Sequence, residues 1–192
     1  MDTASFFAAS DAALRSVIDR LRPEDLDRSV PDAWSRTEHP VMRDILFAHA
    51  YDEAWVPDVL AGRSVADGDP WRDADLLGDD PVAAYDSIND RASAAVAAGV
   101  DPATVLRFQY GDYPAGEGLS HLAMYRATQA WDIAHLLGLS FRLPDDVLDG
   151  LGEHVLPNAD QWRAFGVFPP AVEPPAGADR EARLMAAFGR RP

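Results

Sequence analysis

Two stretches hold residues able to do chemistry. In residues 119–138, LSHLAMYRATQAWDIAHLLG, the polar side chains His121, Tyr125, Gln129 and Asp132 fall within an arc of about 80° on one helical face. In residues 42–60, His49 sits in an apolar stripe of Met42, Ile45, Leu46, Val56 and Leu60, with Asp52 and Glu53 one turn later. Histidine beside carboxylates suits acid–base chemistry, because its ordinary pKa lies near neutrality. A histidine on an apolar face is also common in inert, internally satisfied cores, so both readings stay open.

Helices must position these groups. Residues 119–138 are rich in good helix formers, with Gly116 and Gly118 before them and Gly138 at the C-terminal end. A second face, Ala123, Ala127, Ala130 and Ala134, admits close approach by another helix. The spacing of Phe6, Phe7, Leu14, Val17, Ile18 and Leu21 predicts a first helix over 3–21, ended by Pro23. A second is expected from Thr37 to Gly62, with Thr37 as cap and Pro40 in its first turn. Pro57 should kink it, or end its first segment after Val56. Residues 81–98 read as a third helix, capped by Asp79 or Asp80 and stopped by Gly99. Residues 105–110 read as a short extended segment, and 111–114 as a turn. Beyond 140, helices are expected over 145–155 and 158–165, then a proline-rich wrap over 166–178, then a last helix capped by Asp179 and ended by Gly189. The Asp-rich loop 63–80 lacks the spacing of a calcium loop and reads as solvated.

Length and composition bound the rest. A chain of 192 residues with 47% hydrophobic content suits one domain, 1–192, with a bundle over about 1–140 and a C-terminal extension over about 141–192. Four long amphipathic helices predict an all-α four-helix bundle, with sites built between facing helices. A net charge of −15 argues against nucleic acid or anionic membrane as partner, and every one of the 17 basic residues is arginine. Cysteine is absent, which removes disulfides, thiolate metal sites and a cysteine nucleophile. MDTASFFAAS has no basic region ahead of an apolar stretch, so a cytoplasmic protein is expected, as monomer or homodimer.

Several segments, in order, resemble one family: MRDILFAHAYDEAWVPDVLAGRSV, LLGDDPVAAY, FQYGDYPAGEGLSHL, QAWDIAHLLGL, and the tail FGVFPPAV with ADREARLMAAFGRRP. The chain resembles the DinB-like superfamily, in its metal-binding branch related to mycothiol-dependent maleylpyruvate isomerases. That resemblance implies a DinB-like four-helix bundle. It also implies a divalent metal, usually zinc, held by a histidine of the second helix and by two ligands four residues apart on the last bundle helix. His49 matches the first position. The family's His-x-Trp-Asp motif falls on Gln129-Ala130-Trp131-Asp132, which puts Gln129 and Tyr125 at the other two ligand positions. Glutamine and neutral tyrosine are poor ligands for such metals, so two of three ligands are replaced and no cofactor is expected.

Three functional readings follow. The first is a metal-free enzyme of isomerase or cyclase type acting on a small organic molecule. There His49 is acid or base, Tyr125 donates a hydrogen bond and Gln129 orients. His121 and Asp132 contact substrate, and Tyr51 and Trp55 stand near the mouth. The second is a non-catalytic binding or interaction protein. The third keeps the family activity, an S-transferase or isomerase using mycothiol, with zinc or nickel held by His49 together with His121 or Tyr125.

Overall fold

A helix starts where its first N–H groups find partners, and several starts here are set by one carboxylate. Asp2 accepts from the Ser5 N–H at 2.8 Å and opens α1, Thr3–Ile18. Asp80 accepts from the Ala83 N–H and opens α3, Pro81–Ala97; Asp179 does the same for α7, Arg180–Ala187. The computed structural model describes residues 1–101 and 103–191, so Pro192, the end of the expected domain and tail, lies outside the described residues.

The chain is predominantly helical. Between α1 and α3 lies α2, Met42–Leu60. After α3 come two short strands, β1 (Val105–Phe108) and β2 (Gly111–Pro114), and then α4, Ala115–Leu136. Short helices α5 (Asp145–Gly150) and α6 (Ala159–Ala164) follow, with a π-helical turn over Leu151–Val155 after the first. α1 lies along α4, α2 along α3, and α1 also touches α3. The alanine face of α4 is completely buried, so small side chains do let α1 approach closely. Apolar residues from all four long helices, from α5 and from α7 join one continuous core.

Four expectations need correction. The structure is not purely α: β1 and β2 pair antiparallel, Leu106 opposite Tyr113 and Phe108 opposite Gly111, so 111–114 is a strand and Gln109-Tyr110 makes the turn. α4 starts at Ala115, with Gly116 and Gly118 inside it. The hairpin folds back onto this first turn, and a Cβ on Gly118 would lie 2.8 Å from Leu106 Cδ1. The glycine thus serves close packing, not helix initiation. α2 starts at Met42, not near Thr37. Val30 donates to the Pro40 carbonyl and Ser29 bridges Val41, so Val41 is held extended and the helix opens where Asp44 accepts from the Val41 N–H at 2.9 Å. Finally, α2 continues through Pro57 to Leu60, which removes the alternative that its first segment ends after Val56.

Candidate functional site

The polar row of α4 faces a cavity. His121, Tyr125, Gln129 and Asp132 all stand on the wall of a space of about 1450 Å³, with Tyr51, Asp52 and Trp55 of α2 on the same wall. The hairpin contributes Tyr110 and Tyr113, and the segment after α6 contributes Val167 to Pro169. Ordinary small-molecule sites occupy roughly 300–1,000 Å³, so this one is a pocket with a broad mouth.

His49 is not on that wall. It is 1% exposed and its ring stacks on Tyr125 with centroids 4.7 Å apart. Its Nε2 has no hydrogen-bond partner. Burial pushes its pKa down to about 3, the Arg126 charge adds to this, and the Gln129 amide opposes it. At neutral pH the imidazole is uncharged, which makes it a weak base and no acid. Burial, reinforced by the charge of Asp52, raises the pKa of Tyr125, so the phenol stays protonated. Gln129 Oε1 is buried without a partner.

The other sequence-derived positions are more committed. Asp132 is gripped by Arg190 of the C-terminal tail, with Nε at 2.9 Å and Nη2 at 2.7 Å. Burial raises the Asp132 pKa and Arg190 opposes the rise. Tyr51 donates to Asp69 at 2.8 Å, while the Trp55 indole N–H has no partner. His121 sits edge-on between Tyr113 and Trp162, with centroids 4.5 and 4.6 Å away. Burial lowers its pKa to about 4. It also borders a second, smaller cavity of about 310 Å³ with Glu117, His154 and Asn158.

A divalent metal does not fit these residues. Imidazole nitrogens and a phenol oxygen hold their lone pairs in their ring planes. Rings stacked face to face, as in His49 and Tyr125, therefore do not aim them at one ion. Gln129 adds only a neutral amide. Among the described residues no three His, Asp or Glu side chains are grouped to hold a metal.

Two features escaped the residue patterns. The first is Asp52, recognised only as a carboxylate near His49. It is half-buried on the cavity wall, and its pKa is pushed up to about 6, mainly by desolvation, with the Arg126 charge opposing. The second is a buried ionic cluster behind the wall. Arg126, 1% exposed, donates through Nε to Glu53 at 2.7 Å and to Asp11 at 3.2 Å, and through Nη1 to the Leu122 carbonyl. Its guanidinium lies over the Phe7 ring at 4.6 Å. Asn89 and Ser93 of α3 donate to Asp11, so all four long helices meet here. Two acids share one cation. Desolvation holds the Glu53 pKa up at about 8, with Arg126 opposing the rise and the Asp11 charge adding to it. The sequence signal was available: Asp11 lies between Phe7 and Leu14 on the buried face of α1, and Arg126 lies beside the alanine face of α4.

Among the described residues no helix is long and apolar enough to cross a membrane. The chain matches no family model, no curated protein and no solved structure.

Proposed function

We propose that the chain is a small-molecule-binding protein on a DinB-like four-helix bundle whose metal position has been dismantled, with the large cavity as its ligand site. The observation that carries this reading is that six of the residues picked out by pattern and resemblance, His121, Tyr125, Gln129, Asp132, Tyr51 and Trp55, share one cavity wall. Solvated helix faces do not usually converge in this way, and a pocket with aromatic walls and a few polar groups is the usual form of a ligand site. The family placement draws support from the approach of positions 49, 125 and 129, with His49 stacked on Tyr125 and close enough to Gln129 to feel its amide.

A second reading, proton transfer on the bound molecule, draws on one observation. Asp52 is a cavity carboxyl whose pKa burial pushes up to about 6, whereas His49 stands behind Tyr125 and stays neutral. In this reading Asp52 takes over the acid–base role that the sequence pattern gave to His49.

The test is a titration with N-phenyl-1-naphthylamine, a neutral dye that brightens in apolar surroundings. Saturable one-to-one binding is expected. It should be weakened in Gln129→Trp, which sets a bulky ring on the cavity wall, while that variant keeps its helical circular dichroism. Unsaturable binding, or binding indifferent to Gln129→Trp, would overturn the reading.

A further inference from the structure

The cavity wall is chemically lopsided. Gln129 Oε1 is a buried acceptor with no donor. The Asp52 carboxyl feels only burial and the remote charge of Arg126, with no hydrogen bond from the described chain. Asp52 is close enough to Tyr110 and Tyr125 for its charge to act on both phenols. Tyr51, Trp55, Tyr110 and Tyr125 supply rings to the same wall.

The cations around this region are spent or distant. Arg126 lies behind the wall and is shared by Glu53 and Asp11. Arg190 is held by Asp132. Arg36 and Arg107 are exposed where they line the cavity, and neither perturbs Asp52. His121 is kept neutral by burial. What the wall lacks beside Asp52 is therefore a donor with positive charge.

We propose that Asp52 anchors the charged head of an organic ammonium ion, a protonated amine whose apolar body lies against Tyr51, Trp55, Tyr110 and Tyr125. This rests on the small-molecule reading above and specifies its ligand class. An ammonium offers three donors and no acceptor, which suits a carboxylate. Aromatic faces attract such a cation through their quadrupoles. A bound cation also removes the penalty of an ionised carboxylate in a desolvated place.

Three probes with one aromatic body separate the outcomes: phenethylamine, 2-phenylethanol and phenylacetate, titrated calorimetrically into the full chain. At pH 8, phenethylamine should bind about tenfold or more tightly than 2-phenylethanol, the scale of one charge-assisted hydrogen bond with a cation–π contact. The preference should shrink as pH falls below about 6, where Asp52 takes up its proton. Asp52→Asn should reduce it to within about threefold. Equal binding of amine and alcohol, or tightest binding of phenylacetate, overturns the ammonium assignment and leaves the small-molecule reading standing. Failure of all three probes and of the neutral dye overturns both. The pH series on the unaltered chain needs no variant, so the assignment can fail even if Asp52→Asn does not fold.

Discussion

Replacing Arg126 with methionine should strike the fold harder than any change in the cavity wall. Methionine keeps much of the stem that packs on Phe7 but leaves Asp11 and Glu53 buried without a cation. Breaking a buried ion pair by removing one partner costs about 3–5 kcal/mol. For a chain of this size, that corresponds to a fall in Tm of roughly 6–20 °C. The loss should depend on pH in a fixed direction. Glu53 already has its folded pKa raised from 4.5 to about 8, and losing the cation raises it further. A group with a raised folded pKa contributes stability that is fully present below its unfolded pKa and lost as pH rises through the folded value. The variant should therefore be closest to the parent near pH 5 and furthest from it near pH 8. Parallel urea melts at the two pH values give both numbers. Glu53→Gln is the control. It removes the titrating acid, so its stability should not fall between pH 5 and pH 8 as the parent's does. A loss below about 1 kcal/mol for Arg126→Met, or an equal loss at both pH values, would refute the view that this cluster is a desolvated set of two acids and one cation.

Other consequences are cheaper to check. Gly150→Ala sets a Cβ 2.0 Å from the fully buried Phe6 ring, so it should destabilise by about 1–3 kcal/mol despite the better helix propensity of alanine; a raised Tm would contradict the packing. Tyr125→Glu combined with Gln129→His should create zinc binding with His49, read by metal analysis after dialysis. A folded double variant that gains no zinc would show that the motif has been placed on the wrong residues. Arg190→Ala should release the tail from Asp132, seen as faster hydrogen exchange over 180–191; unchanged exchange there would mean the α7 packing holds the tail alone.

The helices were legible because period, caps and breakers agree along the chain. Asp2, Asp80 and Asp179 each open a helix, and Gly99, Gly138 and Gly189 have the positive φ of helix ends. Where local signals conflict with tertiary ones, the tertiary signals win. Gly118 looks like a helix breaker until Leu106 is seen packed on it, and the Thr37–Pro40 signals yield to pairing of Ser29 with Val41. In the site, the α4 row could be read from its 100° spacing, since one face of a helix stays one face after folding. The depth of each residue could not. Periodicity places His49 on an inward stripe, but only packing decides that Tyr125 stands between it and the cavity. The Arg126 cluster was missed for a related reason: its acids come from α1 and α2, far apart in sequence, and an inward position alone does not say which charge each one meets.

The most direct test of the central claim is a crystal structure of the chain soaked with N-phenyl-1-naphthylamine. The account predicts ligand density in the cavity, against Tyr125, Gln129 and Trp55, with the Asp132–Arg190 pair intact at the rim. Density confined to the outer surface, with the aromatic walls collapsed onto each other and the cavity closed, would contradict it.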